Sequence, residues 1–239
     1  MSGHSHFKTV KATKDANDAK RGKVFSKLAR IITLAVKEKG KDITTNATLK
    51  TAIEKAKEFN MPKENIERAI KKGTGELAGE NLEEFSFDSL GPGGIAIIIE
   101  GITDNKNRTL GEIKSILSQY GGKMAEQGAV KWMFKKMGFV TVDCEGKPKE
   151  ELELLIIEAG VQDIKQQDNL LEVYTEPENM EGVRKFLENR NIKIDSVSLV
   201  WLPNQDIETS EKDKATAQKL FEELNENDAI QDIYSNLKI

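Results

Sequence analysis

The sequence predicts an α+β multidomain chain, with an N-terminal three-helix-type bundle followed by two α/β domains. Three observations predict it. Apolar residues recur at helical spacing in the first part of the chain and at strand spacing beyond residue 82. A Gly-rich acidic stretch, 73–81, separates the two regimes. After it, strand and helix patterns alternate to the end, as in layered α/β architectures.

In the first helix, Phe25, Leu28, Ile32, Ala35 and Val36 form one apolar stripe. At 100° per residue, Lys23, Lys27, Arg30 and Lys37 fall opposite that stripe. Gly40 is a plausible stop. A second helix is predicted over 45–59, with Leu49, Ala52, Ile53, Ala56 and Phe59 inward. A third opens at Pro62, tolerated in a first turn because its missing N–H has no helical partner there. Its early Glu64 and Glu67 and late Arg68, Lys71 and Lys72 suit the helix dipole, and Gly73 is expected to end it in the left-handed region.

Beyond the linker, 83–89 and 95–101 read as strands joined by the turn Gly91-Pro92-Gly93-Gly94. The run Ile95-Ala96-Ile97-Ile98-Ile99 is apolar on both faces, as a central strand is. A helix over 106–120 follows, then a strand over 129–134. Strands at 139–143, 163–166, 170–175 and 194–202, with helices at 149–159 and 179–189, spell strand-helix-strand twice. That is the ferredoxin-like split βαβ pattern. A helix over 211–225 and a short strand over 229–234 cannot form a domain alone, so they should return to the sheet of 82–134. The expected domains are therefore 1–77, a discontinuous 82–134 plus 204–239, and an inserted 135–203.

The net charge of −4 conceals a segregation. Residues 1–77 hold 18 Lys and Arg against 9 Asp and Glu, a balance of +9. Of the 36 bases and 40 acids in the chain, 18 and 31 remain for residues 78–239, a balance of −13. Such polarity points to a polyanionic partner. Between residues 1 and 37 the only acids are Asp15 and Asp18, so local ion-pair partners are scarce. The candidate nucleic-acid-binding residues are Lys8, Lys11, Lys14, Lys20, Arg21, Lys23, Lys27, Arg30, Lys71 and Lys72. Each phosphate neutralised releases condensed counterions, giving salt-dependent and largely sequence-independent affinity. Phe7 is a candidate for stacking on a base, or an anchor of the arm to the bundle.

Other classes fare poorly. His4 and His6 are the only histidines and Cys144 the only cysteine, too few ligands for a metal centre, and an internal disulfide is excluded. Gly73, Gly75 and Gly79 miss the dinucleotide spacing and follow a helix. No nucleophile with a positioned base emerges, so no catalytic residues, cofactor or small-molecule substrate are expected. The polar segment Thr103-Asp104-Asn105-Lys106-Asn107-Arg108-Thr109 suits either anion binding at a helix start or plain capping. No apolar run reaches 18 residues and no signal-peptide pattern occurs, so a cytoplasmic protein without a membrane partner is expected.

Several stretches resemble the YebC/PmpR family of probable transcriptional regulatory proteins. They are Met1-Ser2-Gly3-His4-Ser5, the run from Asp18 to Leu28, Ala52-Ile53-Glu54-Lys55-Ala56-Lys57, the run from Asn60 to Gly75, Gly91-Pro92-Gly93-Gly94 and the Thr103–Thr109 segment. His6-Phe7 stands where that family usually has Lys-Trp, and Leu90 where an aromatic is common. The resemblance implies a helical first domain, two α/β domains with the middle one discontinuous, and a non-catalytic cytoplasmic protein. It implies a DNA-binding transcriptional regulator or, alternatively, a ribosome- and rRNA-associated translation factor that relieves stalling at proline-rich stretches. The resemblance extends to a mitochondrial relative that looks like a translational activator of a respiratory oxidase subunit. Both readings need the same positive surface. No base-reading recognition helix stands out, which favours backbone- or shape-dominated contact.

Overall fold

A computed structural model describes residues 2–4, 18–144, 148–167 and 169–238. The chain divides into two compact units, Met1–Met133 with Gln205–Ile239, and Phe134–Asn204. Helix α1 (Asp18–Lys39) opens the first unit, followed by α2 (Ala47–Glu58) and α3 (Lys63–Gly73). Leu28, Ile32, Ala35 and Val36 of α1 bury against Leu49, Ala52, Ala56, Met61, Ile66 and Ala69, the stripe that the helical spacing predicts.

Two local devices hold the bundle. Gly40 ends α1 in the left-handed region at φ 81°, with its N–H on the Val36 carbonyl. Asn46, fully buried, then serves both helices: its Oδ1 accepts from Leu49 N at 3.0 Å, while its Nδ2 donates to Ala35 O and Gly40 O at 2.8 Å each. One side chain thus satisfies backbone groups at the end of α1 and the start of α2. Gly73 corrects an expectation, because it lies inside α3 and the left-handed residue is Gly75 at φ 78°. A Cβ on Gly73 would stand 2.6 Å from Thr33 O and 2.7 Å from Val36 Cβ. The glycine is there for close helix approach, supported by Thr33 Oγ1 donating to Ala69 O at 3.1 Å.

The first unit's sheet runs β1-β9-β3-β2-β4, every pairing antiparallel. Its strands are β1 (Ser2–His4), β2 (Glu83–Leu90), β3 (Ala96–Thr103), β4 (Lys123–Met124) and β9 (Ile230–Lys238). As expected, the C-terminal strand returns to this sheet and pairs with β3. Helices α4 (Lys106–Gln119) and α7 (Glu211–Asn225) supply Ile113, Leu117, Ala217, Leu220 and Leu224 to a core with Ile95, Ile97 and Ile99. Strands β1 and β4 were not anticipated. The strand expected over 129–134 is instead a tight turn, Lys131–Met133, followed by the first strand of the second unit.

The second unit contains β5 (Phe134–Asp143), α5 (Lys149–Ile157), β6 (Asp163–Gln167), β7 (Leu170–Thr175), α6 (Met180–Glu188) and β8 (Ile194–Pro203). Sheet order β6-β7-β5-β8, all antiparallel, is the ferredoxin-like arrangement. It interrupts the chain between Met133 and Gln205, so it is an insertion.

Replacing Asn46 with Ala strands the Ala35 and Gly40 carbonyls and removes a cap. A loss of about 1–3 kcal/mol is expected in urea unfolding. Gly73→Ala should also destabilise, since α1 and α3 must part to admit a methyl. A second expectation concerns alkali. Burial, then Asp232 and Glu100, push the Tyr234 phenol far above its ordinary 10.0. The folded state therefore keeps the proton that the unfolded chain releases. Stability from this group is full below about pH 10 and is lost as pH rises beyond it. Tyr234→Phe should flatten the alkaline fall in melting temperature.

Candidate nucleic-acid interface

On α1, Lys23, Ser26, Lys27 and Arg30 are spaced i, i+3, i+4 and i+7, one face of a helix. Lys23, Lys27 and Arg30 belong to the set that helical spacing puts opposite the apolar stripe, but the face is not bare. Lys23 forms an ion pair with Glu226. Ser26 Oγ donates to Asp228 at 3.3 Å, and Lys27 Nζ donates to Asn225 O at 3.0 Å. Arg30 Nη1 donates to Ile102 O at 3.3 Å, and Gln231 Nε2 returns a bond to Lys27 O at 3.4 Å. The row thus faces the turn between α7 and β9 and the end of β3. Local scarcity of acids is real, but the carboxylates that meet the row stand 203 and 202 positions away.

The electrostatics follow the geometry. Glu226, through its hydrogen bond first and its charge second, holds the Lys23 ammonium above its usual range despite some desolvation. Burial lowers that of Lys27, while Asp232, Asp228 and Glu226 work the other way. A half-buried ammonium needs such carboxylates, because removing a charge from water is costly.

Further along α1, Ile31 and Leu34 pack against Leu82 and Ile102. Lys37 bonds to Asn81 Oδ1 and, at 3.2 Å, to Leu82 O. Lys41 pairs with Glu76 at 3.1 Å. These two lysines pin the stretch that links α3 to β2 and do not present bare charge.

The other candidates divide. Lys8, Lys11, Lys14 and Phe7 lie outside the described residues, as does the side chain of Lys20. Arg21 is exposed, its guanidinium 6.0 Å from the centre of the Phe25 ring. Lys71 and Lys72 are exposed in the last turn of α3. Arg68, also exposed, stands three and four residues before them, so the three share one helix face. The sequence reading treated Arg68 only as a complement to the helix dipole. Its i, i+3, i+4 relation to Lys71 and Lys72 was the available signal. The helix C-terminus attracts cations, which steadies the cluster there.

The polar segment 103–109 resolves as capping. Asn105 Oδ1 accepts from Arg108 N at 3.0 Å, Thr103 Oγ1 accepts from Asn105 N at 3.0 Å, and Thr103 and Thr109 hydroxyls meet at 2.8 Å. Arg108 pairs with Asp104 across one turn. Burial opposes ionisation of Asp104, yet its backbone bond, Arg108 and Arg30 together hold its carboxyl below the usual range. These groups satisfy one another without a ligand. Among the described residues no cluster of His, Cys, Asp and Glu could hold a metal ion, and no helix is long and apolar enough to cross a membrane.

Comparison with known proteins gives a consistent result. The family model for the TACO1/YebC protein N-terminal domain matches residues 5–76, and that for the TACO1/YebC second and third domain matches residues 82–237. A probable transcriptional regulatory protein of Thermoanaerobacter pseudethanolicus is 45% identical over 240 residues, covering 100% of this chain and 98% of the relative. One from Halothermothrix orenii is 45% identical over 244 residues, covering 100% and 96%. The crystal structure of a conserved hypothetical protein from Aquifex aeolicus superposes with a TM-score of 0.86 at 38% identity, over 93% of this chain and 92% of that one.

A shift of unfolding with salt should expose the α1 contacts. Glu226→Gln removes a part-exposed pair, so less than about 1 kcal/mol of stability should be lost. Lys27→Met, which removes the half-buried ammonium bonded to the Asn225 carbonyl, should cost more; equal effects would contradict the burial of Lys27.

With matched models over both parts of the chain and full-length relatives well above 40% identity, the chain belongs to the TACO1/YebC family.

Proposed function

We propose that the chain is a non-enzymatic, DNA-binding regulator of transcription whose basic segment 1–77 grips the phosphate backbone. The carrying observation is the charge polarity: +9 in residues 1–77 against −13 in the remainder. Such a field steers the bundle toward a polyanion. Within the bundle, Arg68, Lys71 and Lys72 form an exposed cationic face, and Arg21 adds a fourth exposed charge. The names carried by the bacterial relatives, probable transcriptional regulatory proteins, support a role in transcription.

Contact through lysine and arginine charges alone reads backbone and shape, not base edges. The partner is nucleic acid, with no small-molecule substrate, no cofactor and no membrane, and the site of action is the cytoplasm. Crosslinking in growing cells, followed by sequencing of both bound DNA and bound RNA, tests this directly. Promoter DNA is the expected recovery. Ribosomal RNA without promoter DNA would replace the reading with that of a ribosome-associated translation factor.

In solution, Lys71→Ala with Lys72→Ala should weaken binding to a DNA duplex and reduce the slope of log affinity against log salt by about 2. Both side chains are exposed, so the melting temperature should hardly move. An unchanged slope removes this face from the interface.

A further inference from the structure

Lys23, Ser26, Lys27 and Arg30 form a row of donors suited to phosphate, two ammonium groups, a hydroxyl and a guanidinium on one helix face. Every one of them is engaged within the first unit. Their acceptors are Glu226, Asp228, the Asn225 carbonyl and the Ile102 carbonyl, three of the four on the turn that joins α7 to β9. That turn is densely anionic, with Glu222, Glu223, Glu226 and Asp228 within seven residues.

We infer that the α7–β9 turn is an internal competitor for nucleic acid, a clasp that occupies the donor row of α1 until a phosphodiester backbone displaces it. The inference rests on the proposed binding role of the bundle and deepens it. The clasp is graded along its length. The Lys23–Glu226 pair leaves 39% and 55% of the two side chains exposed, so it is weak, screened by salt and easily exchanged. Lys27 is half-buried and bonded to a carbonyl, which makes it the harder contact to release. A polyanion would first engage the exposed Arg21 and then take Lys23 from Glu226. Exchange of like partners, carboxylate for phosphate, leaves the ammonium satisfied throughout. Nucleic acid and the turn are then mutually exclusive ligands of one row, and each weakens the other's hold.

The test uses the full chain and a labelled DNA duplex, with an RNA hairpin as a second probe, and measures affinity across a salt series. Glu226→Gln with Asp228→Asn opens the clasp, and Glu226→Gln alone serves as a milder variant. Glu208→Gln with Glu211→Gln removes the same charge from the opposite end of α7, at its first residue and just before it. That helix of 15 residues is about 22 Å long, well over the Debye length of about 8 Å at physiological salt. The clasp predicts roughly tenfold tighter binding by the double variant and a salt slope steeper by about 1, because Lys23 then reaches phosphate without setting free the Glu226 carboxylate. The charge-matched control should bind as the unaltered chain does. Wild-type affinity and slope in both clasp variants, or an equal gain in the control, would overturn the clasp while leaving the binding role intact. If no version binds either probe even in dilute buffer, the binding role falls and the clasp falls with it.

Discussion

Helix α1 is buried on two sides, and that constraint organises the first unit. One face completes the bundle through Leu28, Ile32, Ala35 and Val36. Another meets the sheet, through Ile31 and Leu34 against Leu82 and Ile102, and through the donor row at the α7–β9 turn. A helix with two obligatory partners has a narrow strip left for solvent. Bundle and sheet therefore share one element and fall in one compact unit, although their sequence patterns differ completely. Gly73 and Asn46 serve the same end, one by admitting α3 closely and the other by fastening the turn after Gly40.

Most of the fold was legible because its elements carry clear periods. Leu28, Ile32, Ala35 and Val36 of the first helix and the strand run beginning at Ile95 are buried as their spacing predicts. The ferredoxin-like unit was legible from order alone, since two strand-helix-strand halves close into one sheet in few ways. What was missed is short or defined by distant contact. Strand β4 has two residues, too few for any period, and exists because Ser89 and Leu90 lack a neighbour on that side. The turn at Lys131–Met133 reads as a strand because 129–134 is apolar at every position but Lys131, over a span too short to separate the two periods.

The candidate interface was legible only in part. Charge segregation and the identity of its cations stand in the sequence, but their partners do not. Lys23 and Glu226 are 203 positions apart, so no local pattern links them. A scarcity of acids nearby suggested unclaimed cations, and tertiary structure supplied the acids. The exposed set on α3 is the reverse case. Arg68, Lys71 and Lys72 were separable from the buried Ile66 and Ala69 by helical geometry alone.

The insertion between Met133 and Gln205 bears on the order of biosynthesis. Strand β3 needs β9 as a neighbour, yet well over a hundred residues separate them, including the whole second unit. At ordinary elongation rates the interval is on the order of ten seconds. During it, the nascent first unit lacks a sheet strand, the covering helix α7 and the carboxylates that face Lys23 and Lys27. The second unit, by contrast, is contiguous and has every strand available once Pro203 emerges. Maturation therefore runs from the middle outward, and the cationic row spends its first moments beside the ribosome without its own turn to hold.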